Sequence, residues 1–258
     1  MEQEAHQGSN GSAACLKVEG LGKHFGGLVA VNNVDLVVEN GERRGIIGPN
    51  GAGKTTFFNM IAGELDPTHG KVHLYGEDIT RLPTHQRTHL GMARTFQITN
   101  LFPNLSVLDN VLLAAQALEK SKFSMLRTIK SHRHIYQKAE EMMGKLNLWD
   151  MKNLIVKDLS HGYQRQIEIA LALVENPKVL LLDEPTAGLS PAESAEVVSL
   201  LKELDAEMTM LIIEHDMDVA FELVDKLMVM HEGEVIADGP KEEVRANQTV
   251  QEIYLGHD

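Results

Sequence analysis

The run Gly48-Pro49-Asn50-Gly51-Ala52-Gly53-Lys54-Thr55 fits the spacing G-x-x-x-x-G-K-[ST], and no other eight residues constrain the fold of this chain as much. Ile46 and Ile47 ahead of it read as the end of a strand, and Phe57, Phe58, Met60 and Ile61 behind it stand at helical spacing. Glycines at 48, 51 and 53 let the backbone curl so that successive N–H groups converge on phosphate oxygens. The helix that follows adds its positive N-terminal end. Lys54 is expected to supply a point charge to the β- and γ-phosphates and Thr55 a hydroxyl to Mg²⁺, with Thr56 completing the cradle. Strand, loop and helix agree, so the segment is read as a nucleotide site.

Two further runs have the shape of buried strands that end in chemistry. Lys178 to Pro185 reads KVLLLDEP, an apolar run closed by two acids, and the C-terminal edge of a parallel strand is where open α/β sheets bind ligands. Asp183 is expected to hold Mg²⁺ through water, and Glu184 to orient or activate a hydrolytic water. Read alone, an acidic turn after a strand is a plain alternative; a phosphate loop upstream outweighs it. The run MTMLIIEHD repeats the design, with a strand over Met210 to Ile213 followed by Glu214 and His215. A histidine at a strand end is usually structural. If this strand lies beside the other two, His215 is placed to sense the γ-phosphate through a hydrogen bond.

Bulk properties narrow the function classes. At 258 residues the chain can bury one large domain. Its net charge of −13 argues against nonspecific binding of nucleic acid, which needs a basic surface. A single cysteine, Cys15, excludes an internal disulfide and any multi-cysteine metal site. No apolar run approaches the ~18 residues of a membrane-spanning helix, so any membrane connection is expected to run through a partner. Residues 1–15 are polar, lack the pattern of a secretory signal, and are expected to form a flexible tail.

Between the phosphate loop and the Asp183–Glu184 run lies DLSHGYQRQIEIA, from Asp158 to Ala170. Ser160 is a good N-cap for the amphipathic helix that follows, and read alone the run is no more than that. Taken with the phosphate loop, the Asp183–Glu184 strand and His215, it resembles the ATP-binding cassette subunits of ABC transporters over roughly Leu16 to Gly256. The resemblance implies a P-loop ATPase fold: an α/β core with a mostly parallel sheet, an antiparallel β subdomain and an inserted helical subdomain. In that family the signature commonly written LSGGQ pins the γ-phosphate of ATP bound to the opposite subunit. Leu159, Ser160 and Gly162 match it, His161 and Tyr163 depart from it, and Gln164 and Arg165 continue in the family manner. Ser160 and Gly162 are therefore the contact candidates. The resemblance also implies that Phe25 stacks on adenine, that Gln97 in RTFQ contacts Mg²⁺ and the attacking water, and that TAGLSPAES is the D-loop, with Ser190 where aspartate is common.

The implied organisation is a single cassette over 16–258. Its nucleotide-binding core comprises 16–90 and 161–258, and a helical stretch covers 91–160. Helical periodicity in LSVLDNVLLAAQAL and HIYQKAEEMMGKLNLWDM supports the latter, and LMVMHEGEVIADGP reads as a hairpin turning at Glu232-Gly233. The basic stretch SKFSMLRTIKSHRH reads as a solvated face, with a partner contact as the alternative. FGGLVAVNNVDL, LPTHQRTHLGMARTFQITNLF and the terminal IYLGHD resemble one ATPase subunit of the branched-chain amino acid importers, and importers of urea or short amides share much of this.

That resemblance implies ATP and Mg²⁺ as cofactors, two integral-membrane permease subunits, a second cassette (identical or different) and, indirectly, a periplasmic or extracellular substrate-binding protein. It places the chain peripherally on the cytoplasmic face of the inner or plasma membrane. The alternatives are the ATPase of a lipopolysaccharide-type export system and a soluble cassette of DNA repair or translation. One phosphate loop, one signature and an acidic charge weigh against the latter.

Overall fold

The computed structural model describes residues 14–95, 101–117 and 133–255. Strands β1 (Ala14–Phe25) and β2 (Leu28–Glu39) form a hairpin, and β3 (Arg43–Ile47) runs into the phosphate loop and helix α1 (Lys54–Ala62). Then come β4 (His69–Leu74), β5 (Glu77–Asp78), α2 (Thr84–His89) and β6 (Met92–Arg94). Helices α3 (Val107–Ala117) and α4 (Arg133–Lys145), with two short 3-10 turns, lead to α5 (His161–Leu173). Strand and helix alternate from there: β7 (Val179–Asp183), α6 (Pro191–Glu203), β8 (Thr209–Ile213), α7 (Met217–Leu223) and β9 (Lys226–His231). The last elements are β10 (Glu234–Pro240), α8 (Lys241–Ala246) and α9 (Gln248–Leu255).

Two sheets result. An antiparallel sheet has the order β2-β1-β4-β5, and a six-stranded sheet the order β10-β9-β3-β8-β7-β6. In the second, β3 pairs parallel with β8 and β9, and β7 pairs parallel with β8 and β6; only β10 runs antiparallel. Both faces of this sheet are covered, which is why its strands read as unbroken apolar runs. Along β7 the period of two is still visible in what each residue touches. Val179 and Leu181 pack with α1 and the antiparallel sheet, whereas Leu180 and Leu182 pack with α3, α5 and α6.

Several expected boundaries move. The stretch expected to be tail overlaps a strand at its end: Ala14 opens β1, and Cys15 is fully buried with its Sγ 3.6 Å from both the Glu39 carbonyl and Thr209 Oγ1. The stretch expected to be helical from 91 instead opens with β6, a three-residue strand of the six-stranded sheet. So short a strand carries no readable periodicity, and it forms because Met92–Arg94 can pair with β7. The turn at Glu232-Gly233 is where it was expected, with φ of 49° and 84° at the two residues, the left-handed pair that suits a tight hairpin. Of the basic stretch, residues 121–132 lie outside the described residues.

Candidate active site

The cradle is built where β3 leaves the sheet. Gly53 caps α1 with φ 96°, and a β-carbon there would lie 2.4 Å from the Ala30 carbonyl, so only glycine fits. No side chain caps this helix start, which leaves the first-turn N–H groups free for an anion. The Lys54 ammonium folds over the loop and donates to the carbonyls of Gly48 at 2.6 Å and Pro49 at 3.1 Å. Burial holds its pKa below the ordinary lysine value, while the nearby carboxylates of Glu184 and Asp183 act the other way. The hairpin turn clasps the loop from outside. Gly233 N–H donates to the Ala52 carbonyl at 3.0 Å, and the Gly233 carbonyl accepts from Asn32 N–H at 2.8 Å.

Phe25 stands at the end of β1, 48% exposed, in a cleft of about 510 Å³ that Gly51, Thr55, Thr56 and Gly233 also line. Lys23 Nζ lies 5.3 Å from the ring centroid, so one face of the ring is engaged by a cation. An exposed ring beside a phosphate cradle suits a flat heterocycle.

At the ends of β7 and β8 the acids and the histidine converge. Asp183 is 1% exposed, its Oδ2 accepts from Arg94 Nη2 at 2.7 Å, and its Oδ1 is buried with no partner. Glu184 leaves the strand with φ 46°, a left-handed conformation that costs a non-glycine residue roughly 1–3 kcal/mol. Its Oε2 lies 3.7 Å from Nδ1 of His215. Glu214 is fully buried beneath them, accepting from the Thr186 N–H at 3.2 Å and its hydroxyl at 2.9 Å. Burial raises its pKa. The orphaned Oδ1 of Asp183 and the exposed Thr55 are the donor types a magnesium ion takes. Among the described residues no cluster of three or more His, Cys, Asp or Glu forms a metal cage.

Ser160 is the N-cap of α5, its hydroxyl accepting from Tyr163 N–H. His161 and Tyr163 are exposed beside it. Gln164 turns inward and donates to the carbonyls of Leu159 at 3.0 Å and Val156 at 3.4 Å, so it braces the turn ahead of α5 rather than facing out. Leu159 packs against the core. Gln97 falls outside the described residues.

Three residues to which the sequence assigned no role are prominent. Arg94 ties Asp183 to α1 through Asn59 Oδ1 at 2.8 Å and to Glu64 at 2.9 Å. Arg165 reaches from α5 to the chain leaving β7, and Glu193 accepts from the Gly162 N–H at 3.0 Å. Arg94 lay in plain view in ARTFQ, but nothing in that run names its partners.

Comparison with known proteins finds the likeness along nearly the whole chain. Residues 31–187 match the family model described as ABC transporter, and residues 234–258 match that of the branched-chain amino acid ATP-binding cassette transporter. The high-affinity branched-chain amino acid transport ATP-binding protein BraF of Pseudomonas aeruginosa is 39% identical over 252 residues, covering 95% of this chain and 99% of that protein. In its ADP conformation MJ1267, an ATP-binding cassette of an ABC transporter, superposes with a TM-score of 0.86 at 33% identity, covering 95% of this chain and 100% of that one. The ATP-binding cassette MJ0796, a dimer in a post-hydrolysis state with ADP and Pi, gives 0.72 at 28% identity over 88% of this chain and 98% of that one.

Proposed function

This chain belongs to the ATP-binding cassette family of transporter ATPases, and from that premise we propose that it is the ATP-hydrolysing subunit of an importer for branched-chain amino acids. The observation that carries the hydrolytic part is the meeting of Glu184 and His215, 3.7 Å apart at the ends of adjacent parallel strands. The importer part is supported by 39% identity to BraF along nearly the full length of both chains.

In this reading Phe25 stacks on adenine, and the backbone from Gly48 to Thr56 with the Lys54 ammonium holds the phosphates. Thr55, Asp183 and Gln97 hold Mg²⁺, which when bound neutralises charge on the phosphate oxygens. Glu184 orients the attacking water and accepts its proton, and His215 reports on the γ-phosphate. The rate gain comes mainly from positioning and from positive charge aimed at the transferring group. Ser160 and Gly162 close on the nucleotide of a second cassette in this reading, and the similar cassette MJ0796 forms a dimer. ATP thus draws two subunits together and hydrolysis releases them, so binding energy becomes subunit motion.

No described helix is long and apolar enough to cross a membrane. In this reading the work is delivered to permease subunits on the cytoplasmic face. Their seat in this reading is a cleft of about 740 Å³ between the β6 edge, α3 and α5, lined by Met92, Phe102, Leu113, Ala114, Leu171 and Ala172. The amino acid itself never touches this chain.

Glu184→Gln tests the assignment. The variant is expected to bind ATP as the parent does, to lose most turnover, and to run as an ATP-dependent dimer on sizing. Hydrolysis at the parental rate would remove Glu184 from the mechanism. Purification from the native membrane with two permeases and a second cassette would support the importer reading; recovery with lipid-export components would replace it.

A further inference from the structure

Arg165 lies on the second turn of α5 with its side chain 12% exposed. Its Nη2 donates to the Asp183 carbonyl at 2.9 Å and to the Glu184 carbonyl at 2.5 Å, and its Nε donates to the Pro185 carbonyl at 2.9 Å. Nη1 is held from the other side by Glu168 Oε2 at 2.7 Å. Three successive carbonyls therefore converge on one guanidinium. Its planar fork of fixed donors suits several acceptors at once, which a lysine ammonium matches poorly.

The middle residue of the three is the one in the left-handed conformation, φ 46°. A non-glycine residue stays there only when its surroundings hold it. The Glu184 N–H donates to the Ile213 carbonyl of β8 at 2.9 Å, and the Glu184 carbonyl is taken by Arg165. With the peptide units on both sides of its Cα pinned, the direction of its side chain is set, and that direction is toward His215. The opposite end of the same connection is also tied to α5, through the Gly162 N–H and Glu193. The helix that begins at Ser160 and the segment that carries Glu184 are thus fastened at two points.

We propose that Arg165 is a positioning residue for hydrolysis: it holds Glu184 in the backbone conformation that aims its carboxylate, and ties that aim to the helix whose N terminus meets the second cassette. The inference rests on Glu184 being the residue that activates water. A displacement of α5 when its N terminus engages a phosphate then pulls directly on the carbonyls around Glu184, so each subunit's acid responds to its own signature.

The test compares Arg165→Gln, Arg165→Lys, Glu184→Gln and the Arg165→Gln/Glu184→Gln double variant. Turnover, ATP affinity from a fluorescent analogue, and amide exchange of residues 184–188 are measured for each. Arg165→Gln is expected to lower kcat by about 10- to 100-fold, the scale of a small misplacement of a reacting group, with ATP affinity nearly unchanged. Exchange at 184–188 rises while α1 stays protected, and Arg165→Lys recovers part of the rate. In the double variant the residual rate matches that of Glu184→Gln, because a residue that acts through Glu184 has nothing left to position. An inactive Glu184→Gln beside an Arg165→Gln of parental kcat would overturn this inference alone. So would rate losses that multiply in the double variant, or ATP affinity and α1 protection falling together with kcat. A Glu184→Gln of parental rate would overturn the hydrolytic reading itself, and this inference with it.

Discussion

At Gly162 a β-carbon would sit 2.8 Å from Cγ of Glu193 and 3.0 Å from its Cβ, so the glycine answers to a neighbour in its own chain as well as to any phosphate. The Glu193 carboxylate accepts from the Gly162 N–H and completes a capping box with Ser190, and these bonds push its pKa down from 4.5 to about 2. A carboxylate whose folded pKa is depressed adds stability above its unfolded value and loses it as pH falls toward the folded one, here from about 4.5 to about 2. The parent is therefore expected to be more stable to urea than Glu193→Gln at pH 7 and to lose much of that margin at pH 3; a margin independent of pH would exclude the ionised contact. Gly162→Ala, which must displace Glu193, is expected to cost about 1–3 kcal/mol by the same assay. Lys54, Asp183 and Glu184 were legible because each sits in an unbroken run whose chemistry is local. Glu193, Arg165 and Arg94 were not, since their partners lie 31, 18 and 89 residues away.

Helix α1 shows how an element is held in place by a residue remote from its chemistry. Arg87 on α2 is buried, and its guanidinium donates to the carbonyls of Met60 at 2.9 Å and Ile61 at 2.5 Å in the last turn of α1. It also donates to Thr80 at 3.0 Å and Leu82 at 2.7 Å. Burial brings its pKa down to about 10, still charged at neutral pH, and a cation at a helix C terminus is favourable. Arg87→Met is expected to strand these carbonyls and lower the unfolding free energy by at least the ~1–3 kcal/mol of one buried unsatisfied group, measured by urea titration. Arg87→Lys is expected to restore little, having no fork; full restoration would mean that charge alone matters. The strands over 179–183 and 209–213 were readable at this scale because each is a continuous apolar run of strand length, and the helix after Lys54 because Phe57, Phe58, Met60 and Ile61 stand at helical spacing. Strand β6 has three residues and was hidden among helices.

For the whole molecule, the six-stranded sheet divides the core into two layers, and the large cleft opens where the layer of α3 and α5 meets the β6 edge. Phe102 stands at this cleft 55% exposed. Its backbone is clamped on both sides by Asn110, which accepts from the Phe102 N–H at 2.7 Å and donates to its carbonyl at 3.2 Å. The loop is thus held independently of the ring. Phe102→Asp is expected to leave stability and the ATPase rate of the isolated subunit unchanged while co-purification with permeases is lost; retained co-purification would move the docking seat elsewhere. The strand order has one more consequence, for the making of the chain. The phosphate loop follows β3, whose two neighbours in the sheet are β8 and β9, and its outer clasp is Gly233. A ribosome that has delivered the first 200 residues has released the whole loop and neither of its flanking strands. Such long-range pairing is slow to form, and the nascent chain carries the sequence of a phosphate site without the fold that makes it one. Nucleotide capture is therefore expected only of a chain that has been made past Gly233, and an interrupted product is expected to hold no ATP to spend.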